Sequence, residues 1–153
     1  MKHHKGHHKL TRLIELGVLL VLPIIGHLFV PITVLIPSPS RYFGILLMIV
    51  GLLIAIAASR VFRAAGTSFK LHGNASHLVT DGPFHITRNP MYLGMLMWFV
   101  GLSVLLGTLA PLLFAALLFL FLNFVIIPME ERSLREIHGQ KYAEYEGRVR
   151  RWL

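Results

Sequence analysis

Long apolar stretches constrain the fold of this chain more than any other feature. A hydrocarbon core of about 30 Å requires roughly 20 apolar residues in a helix. Four stretches approach or exceed that length, at residues 13–36, 42–58, 91–106 and 109–127. Hydrophobic residues make up 55% of the chain and charged residues 14%, a balance far from that of soluble domains. We therefore predict an all-α polytopic membrane protein with about four transmembrane helices, a cytoplasmic loop and a C-terminal amphipathic helix.

Prolines, glycines and polar residues divide this single membrane domain (residues 1–153) into three parts. These are a basic, histidine-rich tail (1–12), two structural helices (13–58), and a long loop followed by a helical hairpin and a tail helix (59–153). In the second structural helix, Gly44 and Gly51 are spaced to let a neighbouring helix approach closely. The loop covers residues 59–89, and long loops in compact proteins are usually functional.

The hairpin and the tail helix carry signals of their own. Pro90 starts the first hairpin helix, a Gly-Thr pair forms the turn, and Pro128 stops the second helix. From Glu130 onward charged residues alternate with apolar ones, as in an interfacial amphipathic helix. Its arginines, Arg151 among them, suit lipid headgroups.

The distribution of lysine and arginine predicts the topology. If four helices cross the membrane, every one of the 15 Lys and Arg residues except Arg41 lies on one side. The positive-inside rule makes that side cytoplasmic, with both termini inside, in a bacterial inner membrane or an ER-type membrane. Because a hairpin returns to the face from which it starts, residues 89–92 and 130–131 should meet at that cytoplasmic face.

Composition excludes several classes of function. The absence of cysteine removes disulfide scaffolds, thiolate metal sites and a catalytic thiol. In so apolar a chain, excess positive charge indicates a membrane surface, and no nucleic-acid partner is predicted. No metal site is predicted either, because the histidine pairs at 3–4 and 7–8 alternate with lysines, as in a disordered basic tail. His27, near the middle of the first stretch, is either hydrogen-bonded to a neighbouring helix or functional.

Candidate binding residues begin the first hairpin helix. Asn89 and Pro90 make a good helix cap, and the exposed amide groups there would also favour a ligand carboxylate. Tyr92 offers an aromatic face that attracts a sulfonium cation, and Gly94 offers backbone without a side chain. Tyr92 and Gly94 are equally well explained as an interfacial anchor and a helix-packing glycine.

Two adjacent acids, Glu130 and Glu131, follow the second hairpin helix. Adjacent carboxylates are notable in a chain with only 7 acidic residues. One of them could bind an ammonium group or a ribose hydroxyl of a ligand. Alternatively, they favour the first turn of the tail helix or pair with Arg132 and Arg135.

Four short motifs in the second half of the chain match one family in order and spacing. They are LVTDGPF at 78–84, RNPMYLG at 88–94, EERSL at 130–134, and GQKYAEY at 139–145 leading to RVR at 148–150. In these segments the chain resembles the integral-membrane methyltransferase superfamily of isoprenylcysteine carboxyl methyltransferases and phosphatidylethanolamine N-methyltransferases. The resemblance covers about half the chain, and the first two helices contribute only architecture.

The resemblance implies an S-adenosylmethionine-dependent methyltransferase. It places the adenosine against the loop, the methionine end against the start of the hairpin, and the amino group against a glutamate. The implied cofactor-binding residues are His77, Leu78, Val79, Phe84, Asn89, Pro90, Met91, Tyr92, Gly94, Glu130, Glu131 and Tyr142. Arg88, Tyr92 and Glu131 would position the reactants, and no general base is assigned because in-line methyl transfer depends on positioning and desolvation.

The choice of methyl acceptor rests on two departures from the carboxyl methyltransferase branch. That branch usually has histidine at the position of Asn89 and an arginine just before the glutamates, where this chain reads LNFVII at 122–127. The motif Asn-Pro-Met-Tyr instead resembles the phospholipid branch. We therefore expect a lipid or other apolar small molecule as the acceptor, with prenylcysteine carboxyl methylation as an alternative.

Two further alternatives belong to other classes. A nicotinamide-dependent membrane reductase has a related tail with paired tyrosines, but its nucleotide phosphate would need more arginines in the loop. A non-enzymatic small membrane protein, such as a transporter subunit, would carry ionisable residues within its spans, for which His27 is the candidate.

Overall fold

The structure is a computed structural model that describes residues 36–65 and 78–153, together with positions 21, 24–26 and 28. Most of the first predicted span, the histidine-rich tail, His27 and His77 lie outside the described residues. Within the described residues the regular structure is helical, without a β-strand. The prediction of an all-α protein is therefore confirmed for this part of the chain.

The described helices follow one another with short connections. A 3₁₀ turn at Ser40–Tyr42 precedes the first long helix, and another at Gly82–His85 lies in the loop before the hairpin. The helices are α1 (Phe43–Ala64), α2 (Pro90–Leu106), α3 (Leu109–Phe121), α4 (Ile127–His138) and α5 (Gln140–Arg148), with a π-helical turn at Leu122–Ile126 between α3 and α4.

Among the described residues, two segments are long and apolar enough to cross a membrane, Ser40–Ala64 and Leu109–His138. The apolar helix Pro90–Leu106 is shorter. Large apolar side chains such as Phe43 and Phe124 point away from the protein, at 72% and 70% exposure. Exposed apolar surface on membrane-length helices is what contact with lipid requires. The total of four spans stays a prediction.

Paired glycines bring α1 and α2 into backbone contact. A Cβ atom placed on Gly51 would lie 2.5 Å from the carbonyl oxygen of Gly94, and one on Gly101 would lie 2.6 Å from that of Gly44. Side chains at these positions would keep the two backbones apart. The predicted close approach at Gly44 and Gly51 is confirmed, and it fixes where α2 begins relative to the end of α1.

The hairpin of α2 and α3 is also confirmed. Gly107 ends α2 with a positive φ of 69°, and its N–H donates to the Ser103 carbonyl oxygen at 3.0 Å. Below the turn the two helices share an apolar core with the helix that continues from α3. Its buried members are Leu96, Phe99, Ala115, Leu118, Leu122 and Ile127.

The prediction that Pro128 stops the hairpin was wrong, since the helix runs without interruption over the 30 residues Leu109–His138. A proline ring inside a helix collides with the carbonyl group four residues earlier. That residue, Phe124, lies in the π-helical turn Leu122–Ile126. Local π-helical adjustment is one way in which membrane helices accommodate proline. Likewise α1 runs to Ala64 and not to Ala58, so the loop is shorter than expected.

The prediction of a single tail helix was also wrong. Gly139 has a positive φ of 51° and separates α4 from α5. At Val149 the backbone becomes extended, and the last residues fold back toward the start of α2. The tail is therefore part of the globular end of the protein.

Candidate functional site

A cavity lies where the end of α1, the loop, the start of α2, α4 and α5 meet. The empty space between its lining atoms, including the open mouth, is about 660 Å³. Its lining combines apolar side chains from the end of α1 and the loop with charged side chains from Arg88 and α4. The lining residues are Phe62, Leu78, Val79, Phe84, Arg88, Asn89, Pro90, Met91, Tyr92, Glu130, Glu131, Leu134, Tyr142 and Tyr145.

The two ends of the hairpin are joined inside this cavity. The Tyr92 hydroxyl on α2 donates to Oε1 of Glu130 on α4 at 2.7 Å. Both side chains are partly buried. Since a hydrogen bond to a carboxylate is stronger than one between neutral groups, this contact orders an aromatic ring and a negative charge side by side. The expected meeting of residues 89–92 with residues 130–131 is confirmed.

Glu131 has a different environment from its neighbour. It is 3% exposed, and Arg151 donates to both of its oxygens, from Nε at 3.1 Å and from Nη2 at 2.6 Å. Arg88 lies 3.3 Å from Oε1 and Arg135 lies 3.8 Å from Oε2. A buried carboxylate requires such compensation. Of the two predicted arginine partners, Arg135 is near, whereas Arg132 pairs with Glu136 at 3.4 Å.

Asn89 does not cap α2, contrary to the prediction. Its side-chain Nδ2 donates to the carbonyl oxygen of Arg151 at 3.0 Å, and no side-chain capping bond is made. Thr87 Oγ1 donates to the same carbonyl oxygen at 3.0 Å. The returning C-terminal segment therefore holds the Asn89 side chain through its Nδ2 group, and Oδ1 makes no capping bond. Pro90 does occupy the first position of the helix, as predicted.

Arg88 lies between the loop, α4 and α5. Its Nη1 donates to Glu146 at 2.7 Å and to the Tyr142 hydroxyl at 3.3 Å. The side chain is 10% exposed, and its buried Nε has no hydrogen-bond partner among the described residues. Arg88 thus places positive charge on the wall of the cavity and ties that wall to α5.

The paired tyrosines of α5, Tyr142 and Tyr145, pack beneath the loop. Tyr145 donates to the carbonyl oxygen of Phe84 at 2.8 Å, which fixes the 3₁₀ turn. Tyr142 is 1% exposed and packs edge to face on Tyr145. Burial raises the pKa of both tyrosine hydroxyls, so both are neutral at physiological pH.

Glu146 on α5 is held by two arginines. Arg135 donates to both of its oxygens, at 2.7 and 3.0 Å, and Arg88 donates to one of them. These hydrogen bonds, those from Arg135 first, lower the pKa of Glu146 to about 2 despite the opposing effect of burial. The carboxylate therefore stays charged and holds α4, α5 and the loop together.

The structure brings together most of the residues predicted to bind a cofactor. Leu78, Val79, Phe84 and the segment from Asn89 to Tyr92 line the cavity, as do both glutamates and Tyr142. Gly94 instead packs on α1, against Gly51 and Ala55, so its predicted contact with a cofactor stays a prediction.

Three lining residues were not predicted. Phe62 was missed because α1 runs further than the apolar stretch indicated. Leu134 lies one helical turn after Glu130, so the predicted tail helix already placed the two residues on the same face. Tyr145 follows Tyr142 at the same three-residue helical spacing.

In the part of the chain that the structure describes, the site therefore lies among helices, two of them of membrane length, in a cavity with apolar and charged lining residues at one end of the hairpin. The sequence profile of phospholipid methyltransferases matches residues 39–141, more than half of the chain and nearly all of the elements that build the cavity. The chain belongs to this phospholipid methyltransferase family. No curated protein matches it significantly. The protein is accordingly a membrane methyltransferase.

Proposed function

We propose that this protein transfers a methyl group from S-adenosylmethionine to a lipid or another apolar small molecule, in the cavity between the hairpin and α5. The observation that carries the proposal is the contact of Tyr92 with Glu130 inside the cavity of a phospholipid methyltransferase family member. An aromatic face beside a carboxylate suits a ligand with a sulfonium and an ammonium group.

Apolar and polar parts of the cofactor match different walls. The adenosine would lie against Leu78, Val79 and Phe84, which are apolar and close to Tyr145, with His77 expected nearby. The methionine end would lie against the segment from Asn89 to Tyr92, where a helix begins and its positive dipole end favours the carboxylate.

Glu130 is the better of the two glutamates for the ammonium group. Both oxygens of Glu131 already accept hydrogen bonds from Arg151, and its charge is compensated by Arg88 as well. Glu130 is half-buried on the cavity wall beside Tyr92. Glu131 would therefore position Glu130 and the arginines, while Glu130 would contact the cofactor.

The chemistry demands little beyond positioning. The acceptor's nucleophilic atom forms a bond to the methyl carbon while the bond from carbon to sulfur breaks, and the sulfur leaves as neutral S-adenosylhomocysteine. Since positive charge leaves the sulfur, desolvation and in-line alignment supply the acceleration. The protein would supply the aromatic wall, the carboxylate and the exclusion of water, without a dedicated general base.

The membrane would deliver the acceptor. Exposed apolar side chains such as Phe124 and Met129 lie on the long helix just before Glu130, so the lipid phase reaches the level of the cavity. A lipid would enter laterally, with the site at the cytoplasmic face and both termini inside, as the positive-inside rule predicts.

Calorimetric titration of the detergent-purified protein with S-adenosylhomocysteine tests the cofactor. We expect a dissociation constant in the micromolar range, about −8 kcal/mol, and thermal stabilisation by the ligand. A parallel titration with NADPH should give no heat. Absence of S-adenosylhomocysteine binding by folded protein, or binding of NADPH instead, would overturn the proposal.

The acceptor is tested by transfer of a labelled methyl group in vesicles. Phosphatidylethanolamine vesicles and a prenylcysteine methyl-acceptor analogue would be compared with phosphatidylglycerol vesicles, which offer no amine. Label in the phosphatidylethanolamine fraction would identify an amine headgroup as the acceptor. Label in the prenylcysteine analogue alone would favour carboxyl methylation.

A further inference from the structure

The last five residues of the chain, 149–153, cross behind the wall of the cavity, and we call them the C-terminal strap. Its backbone pairs with the residues that precede α2. The Arg88 N–H donates to the Arg150 carbonyl oxygen at 2.9 Å, and the side chains of Thr87 and Asn89 both donate to the Arg151 carbonyl oxygen at 3.0 Å. The strap therefore holds the start of α2 from outside.

The side chains of the strap bind the opposite wall. The guanidinium group of Arg151 donates to both oxygens of Glu131 and also to Asn123, at 3.3 Å to the carbonyl oxygen and 3.4 Å to Oδ1. Trp152 Nε1 donates to the same Oδ1 at 3.0 Å. Asn123 lies in the π-helical turn of the long helix, where a polar side chain needs partners.

One residue thus links three elements of the site. Through its carbonyl group Arg151 holds Asn89 at the start of α2, and through its guanidinium group it holds the π-helical turn and Glu131. Both Asn89 and Glu131 line the cavity. A fork of parallel hydrogen bonds to a carboxylate fixes geometry as well as charge. The separation of the two cavity walls therefore depends on Arg151.

We propose that Arg151 is a positioning residue for the cofactor. It acts through Glu131 and Asn89, and it sets the distance between the start of α2 and the glutamate pair at which Tyr92 and Glu130 can hold the methionine end together. This inference rests on the proposed function. It makes Arg151 part of the binding machinery.

The test compares variants of the full-length protein in the S-adenosylhomocysteine titration. Arg151→Ala should weaken binding at least about tenfold, the usual cost of removing a supporting partner of a binding group, and Arg151→Lys should fall between. Arg150→Ala is the matched control. Its exposed side chain donates only to the Leu153 carbonyl oxygen, at 3.5 Å, among the described contacts, so binding should stay within about twofold.

Measuring at a temperature at which near-UV circular dichroism shows every variant fully folded separates positioning from stability. A purely structural arginine would lower the melting temperature and leave the dissociation constant unchanged, which would overturn the inference. The loss should also be non-additive with that of Glu131→Gln, because Arg151 acts through that carboxylate.

Three results decide the outcome. Binding by the wild type and by Arg150→Ala, with weak binding by Arg151→Ala, supports the inference. Equal binding by all three overturns it and leaves the proposed function standing. No binding by folded wild type overturns both. If Arg151→Ala does not fold, the affinity of Arg151→Lys tests the inference in the same way, since lysine keeps the positive charge and loses the forked pair of hydrogen bonds to Glu131.

Discussion

The Tyr92 hydroxyl and the Glu130 carboxylate lie 2.7 Å apart, although 38 residues separate them in the chain. The hairpin turn at Gly107 produces this proximity by reversing the chain between α2 and α3. The same contact couples the aromatic wall to the acidic wall of the cavity, so a change at either residue should be felt as a change in ligand affinity.

Tyr92→Phe should weaken S-adenosylhomocysteine binding about tenfold, because it removes a hydrogen bond to a charged group, worth roughly 1.5–3 kcal/mol. Tyr92→Ala should weaken it further, since the aromatic face is lost too. Titration calorimetry measures both. Tyr42→Phe, at an exposed tyrosine outside the cavity, is the control and should bind like the wild type. Equal affinity of Tyr92→Ala and wild type would remove Tyr92 from the site.

Replacement of the two glutamates should have different effects. Glu130→Gln should reduce ligand affinity while changing the melting temperature little. Glu131→Ala should lower the free energy of unfolding by roughly 3 kcal/mol, because Arg88 and Arg151 lose a buried partner. Thermal unfolding in detergent with and without S-adenosylhomocysteine measures both effects. The reverse pattern would mean that the roles of the two acids are exchanged.

An exposed acid provides the control for both glutamates. Glu136→Ala breaks only the exposed pair with Arg132, which is worth at most about 1 kcal/mol. It should leave both the affinity and the melting temperature near those of the wild type.

Stability should fall in acid through Glu146. Its pKa is lowered from 4.5 to about 2 in the folded protein, so its contribution is fully present above pH 4.5 and is lost as the pH falls toward 2. Glu146→Gln should be less stable than the wild type at pH 7, and the two should converge near pH 2. Glu144→Gln, at an exposed neighbour, should follow the wild-type profile. Parallel profiles for wild type and Glu146→Gln would contradict this linkage.

Gly51→Ala should destabilise the helix pair, because the added Cβ atom would collide with the backbone of α2. Overpacking of this kind costs about 1–3 kcal/mol, more here since backbone cannot move aside easily. Gly147→Ala is the control: nothing lies within 4 Å of its added Cβ atom, and alanine favours a helix. Its melting temperature should match or exceed that of the wild type. A neutral Gly51→Ala would mean that α1 and α2 can separate freely.

Local signals in the sequence predicted the parts of the fold that local chemistry determines. Gly44 and Gly51 predicted that a neighbouring helix approaches α1 closely, and the Gly-Thr turn predicted the hairpin that brings Tyr92 to Glu130. The motifs predicted most of the cavity lining, because each one places its side chains within a turn or two of helix.

The predictions failed where contacts between residues that are distant in the sequence determine the local structure. Pro128 was predicted to end the helix because the preceding π-helical turn has no recognisable signature in the sequence. Asn89 reads as a cap because nothing near it indicates that a carbonyl group 62 residues later takes its side chain. Arg151 reads as a headgroup arginine for the same reason, although its partner Glu131 is buried.

Because the helix from Leu109 to His138 is uninterrupted, the thickness of the bilayer should affect the proposed reaction. At 1.5 Å per residue, Glu130 lies about 32 Å along the axis from Leu109, close to the thickness of an average hydrocarbon core. A rod of this kind cannot shorten. In a thicker membrane it must stand upright or draw its carboxylates toward the acyl chains, and in a thinner one it tilts and lifts them into water. The lipid composition that surrounds the protein would thus act on the same carboxylates that we propose to serve the cofactor.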